Sequence, residues 1–198
     1  DRSVSRGLGD VYKRQDYGSN NAGLTNVLRV FGKGPAAATL LCDLAKGVLA
    51  VVICRLVVTN GFGVTFFHDD KSIGYLAGFF VMLGHIFPVF YGFHGGKGVL
   101  IAATTLIAID PLTCAFSVAV FAIVLAATKY VSVGSICAAI AYPVFTPIVQ
   151  LFIIKGDGVL ANTLMATAIG LLIIYMHRPN IKRLMNGTEN KFGSKKKA

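Results

Sequence analysis

Charge is scarce in this chain, and acidic charge scarcest. Only 14% of its 198 residues are Asp, Glu, Lys or Arg, and nine acidic side chains stand against nineteen basic ones. A soluble domain of this length needs a charged shell, and 55% hydrophobic residues with a mean hydropathy of +0.67 exceed what its interior could hide. Water is therefore not the main solvent. The four cysteines, Cys42, Cys54, Cys114 and Cys137, lie singly in apolar stretches without paired spacing. That scatter argues against a disulfide framework or a metal site and leaves them as small packing residues. No repeat recurs at a fixed period, and no stretch alternates with period two as a barrel strand would. Low complexity is confined to Lys195, Lys196 and Lys197.

What is present are long apolar blocks: Pro35–Val58, Ile73–Phe90, Val99–Ile109, Leu112–Thr128, Gly134–Ile154 and Val159–Met176. A bilayer core of about 30 Å needs roughly 20 apolar residues per helical crossing. Lipid offers the backbone no hydrogen bonds, so the blocks are expected to be helices. The expected fold is an all-α polytopic membrane bundle with six spans, the third short enough to start in the Gly95–Gly98 turn or to sit in thin bilayer.

Alternate connections carry opposite signs. One set holds Arg29, Lys33, Lys97, Lys129, Arg178, Lys182, Arg183, Lys191 and the terminal lysines. The other holds Arg55, Lys71 and Lys155 beside Asp69, Asp70, Asp110 and Asp157. The basic set is expected to be cytoplasmic, with the C-terminus, in a multi-pass inner-membrane protein. The net charge of +10 then reflects topology and attraction to anionic substrate or lipid; no aromatic residues interleave the basic ones as a nucleic-acid surface requires.

Residues 1–15, DRSVSRGLGDVYKRQ, are polar and lack the apolar centre of a signal peptide. They read as a foreign or mis-assembled leader in place of a native first helix, with the membrane domain at 16–198 ending in a short basic tail.

Nearly every polar, Gly-rich cluster falls on the expected cytoplasmic side. The first, GSNNAGLTN from Gly18 to Asn26, followed by Arg29, offers backbone N–H groups, hydroxyls, amides and a forked cation, which is an anion cradle or a Gly/Asn-rich turn. In the second, Gly84-His85-Ile86-Phe87-Pro88 precedes His94-Gly95-Gly96-Lys97-Gly98, and the lysine meets the positive end of the next helix. This is not a nucleotide P-loop, because no Gly-x4-Gly-Lys-Ser/Thr occurs. His85 reads equally as a residue bonding a neighbouring carbonyl or as a chemical group. The third, HRPNIKRLMNGTE, begins where the last span ends; His177 and Asn180 share a face if the helix continues past Pro179. Lys182 and Arg183 alone would be membrane-edge anchors. Ser132 and Ser135 form a less specific donor group. Within a span, Asp43 and Lys46 are three apart and able to pair.

In this order and spacing, GSNNAGLTNVLRVFG, GHIFPVFYGFHGGKG and HRPNIKRLMNGTE resemble the PlsY family of glycerol-3-phosphate acyltransferases across nearly all of 16–191. The resemblance implies a seven-helix bundle that moves an acyl group from acyl phosphate to the 1-hydroxyl of sn-glycerol 3-phosphate. It implies Ser19, His177 and Asn180 as catalytic residues. It implies Thr25, Asn26, Arg29, Gly95, Gly96, Lys97 and Glu189 as substrate-binding ones. No metal or diffusible cofactor is indicated. This chain departs from the family at Asn20 or Asn21, where Gly is common. The loops would also serve a small transporter of phosphorylated solutes, but transporters place their sites at the midplane of repeated halves, and neither sign is present. A CoA-dependent acyltransferase generally needs an Asp five residues after a His, and none is found.

Overall fold

The computed structural model describes residues 23–64 and 69–193, and the elements they form are helices. In chain order these are α1 (Leu24–Phe31), α2 (Lys33–Arg55, extended by a π turn at Leu56–Gly61), α3 (Asp70–Ile86), α4 (Val99–Ile109), α5 (Pro111–Thr128), α6 (Val131–Ile148, extended by a π turn at Val149–Ile154), α7 (Val159–Met176) and α8 (Arg178–Met185). The leader at 1–15, the Gly18–Ala22 part of the first cluster and the terminal lysines lie outside the described residues.

The starts and stops follow local chemistry. Asp69 caps α3 by accepting from Lys71 N at 3.0 Å, and Asp110 caps α5 by accepting from Thr113 N at 3.3 Å, with Pro111 at the first turn where its missing N–H costs nothing. Gly32, at φ 84°, breaks α1 from α2.

Two groups make up the bundle: α2, α3 and α4 pack on one another, and α6 packs against both α5 and α7, with α3 against α7 and α4 against α5 joining the groups. The joints are close. Pro143 lacks the N–H that would bond the Ala139 carbonyl, and Gly170 of α7 packs onto that carbonyl so tightly that a Cβ would collide with it. Thr104 of α4 occupies the space a side chain at Gly47 of α2 would need.

The polarity of the bundle is inverted. Pro111–Thr128, Val131–Ile154 and Val159–Met176 are long and apolar enough to cross a membrane, yet only 17%, 33% and 28% of their apolar windows are buried, so most of that apolar surface faces outward. Thr104, Thr105, Thr113, Ser117, Thr146, Gln150 and Asn162 point inward and are buried. The short apolar block is α4, eleven residues that begin just after the Gly95–Gly98 turn. It rises only about 16 Å. It tolerates that length by packing between α2, α3 and α5, with six of its residues buried.

At the end of the bundle where α3, α5 and α7 begin, a polar network replaces water. Gln150 Nε2 lies 3.2 Å from the Tyr75 hydroxyl and 3.3 Å from Asp110 Oδ2, while Asn162 Nδ2 donates to Gln150 Oε1 at 3.0 Å and to Asp69 Oδ2 at 2.6 Å. Ser72 Oγ donates to Asn162 Oδ1 at 2.8 Å, and Lys71 Nζ stands 3.9 Å from Asp110. Gln150→Leu keeps the volume roughly but strips partners from Asn162, Asp110 and Tyr75. Each of the three keeps another partner, so the expected loss is about 1–3 kcal/mol, that of one unsatisfied buried group, and it is checked by a lower melting temperature of the detergent-solubilised protein than wild type.

Candidate functional site

The opposite end of the bundle gathers the clusters singled out in the sequence. α7 stops at Met176 and α8 starts at Arg178, with His177 between them at φ −90°, ψ 4° and Pro179 in the first turn of α8. The chain bends without losing its backbone bonds, since His177 N donates to Ile174 O at 2.9 Å and Ile181 N donates to His177 O at 2.9 Å. His177 and Asn180 are thereby carried inward, 3% and 5% exposed.

Lys97 arrives from the other side. Gly92 and Phe93 turn through left-handed backbone at φ 58° and 62°, and Gly98 at φ 81° leads into α4, where a Cβ would strike Met82. No side chain caps α4, so its first N–H groups open beside Lys97. Lys97 Nζ donates to Asn180 Oδ1 at 2.6 Å. Asn180 Nδ2 donates onward to Glu189 Oε1 at 2.8 Å, which also accepts from Ser132 Oγ at 3.0 Å, and Arg183 Nε donates to Glu189 Oε2 at 2.6 Å. The α6 start, α8 and the tail meet at one carboxylate, and Asn180 carries the connection on to Lys97. Phe192 N donates to Lys129 O at 2.7 Å and holds the tail against the α5–α6 turn.

These groups form the mouth of a cavity of about 410 Å³. Gly23, Leu24, Thr25 and Asn26 of the α1 start, Asp43, His85, Lys97, His177, Asn180, Arg183 and Glu189 line its polar part. Val99, Ala103, Leu106, Val118, Phe121, Ala139 and Ile173 line an apolar interior running between α4, α5, α6 and α7. Such a shape fits an anionic head group and an aliphatic chain at once.

Of the residues expected from sequence, Thr25, Asn26, Lys97, His177, Asn180 and Glu189 share this cavity. Ser19 and the Arg29 side chain lie outside the described residues. Gly95 and Gly96 do not line the cavity. Their N–H groups were expected to hold substrate, but Gly96 N donates to His85 O at 3.2 Å, and a Cβ at either glycine would collide with His85. Arg183, read as an anchor, lines the cavity and grips Glu189. The Asp43–Lys46 pair is present at 2.6 Å, and His85 bonds Lys46 at 2.9 Å where a carbonyl was one expectation. Sequence spacing held a hint of this, since Pro88 and three glycines between His85 and Lys97 allow the chain to fold back.

Outside the spans, His177 and Glu189 have shifted titrations. Burial pushes the His177 imidazole below its ordinary value, and the nearby Lys97 charge acts the same way, outweighing the Ile173 carbonyl bond and Glu189. Its Nδ1 lies 2.7 Å from Ile173 O, which can only accept. Nδ1 therefore carries the hydrogen, and Nε2 of the neutral ring is an acceptor. For Glu189, burial raises the carboxyl, but the bonds from Asn180, Arg183 and Ser132 win and hold it below the usual carboxylate range.

A family model described as glycerol-3-phosphate acyltransferase matches residues 8–187. The glycerol-3-phosphate acyltransferase of Clostridioides difficile (strain 630) is 44% identical over 179 residues, covering 90% of this chain and 81% of its own length. That of Paraburkholderia phymatum is 41% identical over 196 residues, covering 99% and 86%. Two crystal structures of PlsY (YgiH), an integral membrane glycerol 3-phosphate acyltransferase, are similar throughout. The glycerol 3-phosphate form gives a TM-score of 0.75 at 35% identity over 96% of this chain and 90% of that one. The lysphosphatidic acid form gives 0.71 at 36% over 88% and 81%.

Because the folded His177 binds its proton less tightly than the unfolded one, the unfolded state takes up the proton first as pH falls below about 6.5. Stability is therefore complete above that value and declines below it. His177→Gln should lose less melting temperature than wild type between pH 7.5 and 5.5. Glu189, whose folded value is depressed, should act only below about pH 4.3.

Proposed function

This chain belongs to the glycerol-3-phosphate acyltransferase family, and from that premise we propose that it transfers an acyl group from acyl phosphate to the 1-hydroxyl of sn-glycerol 3-phosphate, releasing lysophosphatidate and phosphate. The observation that carries this reading is the Lys97–Asn180–Glu189–Arg183 chain set across the mouth of an apolar cavity.

Acyl phosphate is an activated mixed anhydride, so orientation and charge neutralisation supply most of the rate and no acyl-enzyme is needed. The acyl chain lies between α4, α5 and α6 with its carbonyl at the mouth. Lys97 and Arg29 neutralise phosphate oxygens, with Thr25 and the uncapped N–H groups of α4 as further donors. The glycerol 1-hydroxyl attacks the acyl carbon, and its proton passes to His177 Nε2, the free acceptor of that ring. Ser19 and Asn26 stabilise the oxyanion. Collapse breaks the bond to the phosphate oxygen, leaving the new ester and inorganic phosphate. Asn180 and Glu189 hold Lys97 and Arg183 in register. Family membership displaces the transporter reading.

In the membrane, α2 to α7 are six crossings, with α4 sheltered by its neighbours. The site end, which carries Lys97, Lys129, Arg178 and Lys182, faces the cytoplasm, following the excess of positive charge there.

The test is lysophosphatidate formation by purified protein in lipid from palmitoyl phosphate and labelled glycerol 3-phosphate. Wild type is expected to turn over with acyl phosphate and not with acyl-CoA, and Lys97→Met to lose on the order of 10²-fold in kcat/KM. Product from acyl-CoA alone, or full activity in Lys97→Met, would overturn the donor or the site.

A further inference from the structure

The cavity has a defined far end. α6 starts at the mouth, where Ser132 meets Glu189, and its residues Ser135, Ala138, Ala139 and Tyr142 continue the cavity wall at helical spacing along one face. Tyr142 is the last of them, ten residues and about 15 Å below Ser132. The deepest wall residues that α4 and α5 contribute are Leu106, three residues before α4 ends, and Cys114, in the first turn of α5. All three are buried.

Behind Tyr142 stands the polar network of the opposite bundle end. The Tyr75 ring stacks on the Tyr142 ring with centroids 6.3 Å apart and 16° between their planes, and the two hydroxyls are hydrogen-bonded. Tyr75 is itself fully buried and accepts from Gln150, which also reaches Asp110. Tyr75, Asp110, Gln150 and Asn162 do not line the cavity. An aliphatic chain pushed past the Tyr142 ring would break buried hydrogen bonds and bring its methyl end against a carboxylate, so the ring resists displacement.

We infer that Tyr142 is the length stop for the donor's acyl chain: its ring, backed by Tyr75, is the floor that the methyl end meets, with Leu106 and Cys114 beside it. The inference rests on the reaction proposed above. A longer chain has to buckle or withdraw its carbonyl from the mouth. The competing route for such a chain is sideways into lipid past Val118, a wall residue that is 46% exposed.

The test supplies purified protein in lipid with glycerol 3-phosphate and an equal mixture of lauroyl, palmitoyl and arachidoyl phosphates, and resolves the lysophosphatidate products by mass. Competition reads ratios of kcat/KM, which do not depend on how much of a variant is folded. Tyr142→Ala should raise the arachidoyl-to-palmitoyl ratio about tenfold by relieving an overpacked site. Ala138→Leu, which adds bulk one turn nearer the mouth, should lower the palmitoyl-to-lauroyl ratio by a similar factor. Tyr142→Phe keeps the ring and should stay near the wild-type ratios. Wild-type ratios in both Tyr142→Ala and Ala138→Leu, the result of a sideways exit, overturn the inference. A shift in Tyr142→Phe as large as in Tyr142→Ala overturns it too, since that marks a loosened bundle and not a removed stop. Wild type that yields no product from any of the donors faults the proposed reaction instead.

Discussion

A hydrocarbon exterior accepts and donates no hydrogen bonds, and the arrangement of this bundle answers to that fact. Each polar side chain between the membrane faces has to find its partners within the protein. Thr105, Ser117, Ser135, Thr146, Thr163 and Thr167 satisfy theirs by bonding back to a carbonyl four residues earlier. Larger polar groups are collected into two plates. One, around Gln150 and Asn162, ties α3, α5, α6 and α7 together. The other, around Glu189, ties the α4 entry, the α6 start and α8 to the tail.

Cationic and neutral donors are balanced differently in the two plates. Around Gln150 the groups mostly satisfy one another, and Lys71 stands near Asp110. At the Glu189 plate a single carboxylate gathers Asn180, Arg183 and Ser132, and Lys97 reaches Asn180 through its amide rather than through the carboxylate. An amide holds a lysine in place without neutralising it. Lys97 is thereby fixed at the mouth of the cavity.

Much of this was legible from residue order. Block lengths and breakers placed the helices within a few residues, because Asp110-Pro111 and Gly158 act locally. The three motifs marked the site because their residue types have few other uses at a membrane edge. What the sequence concealed depends on tertiary approach. Nothing near Arg183 says that its guanidinium turns inward to Glu189, six residues on, and the basic tail reads equally well as an anchor. Likewise, nothing in the sequence says that Gly96 leaves its space to the His85 ring and Gly95 to the His85 and Ile86 carbonyls. That the short α4 is packed by α2, α3 and α5 on several sides is equally invisible in one dimension.

The apolar interior of the cavity, walled by Val118, Phe121 and Ala139, has an energetic consequence of its own. For an enzyme in water, drawing an aliphatic chain into such a groove would be strongly favoured. Here the chain leaves one oily medium for another, and the transfer gains almost nothing. Affinity for a lipid-like donor must then come from its polar end. On the reaction proposed above, the groove adds fit rather than affinity, and recognition of the whole molecule is concentrated in a few ångströms at the polar mouth.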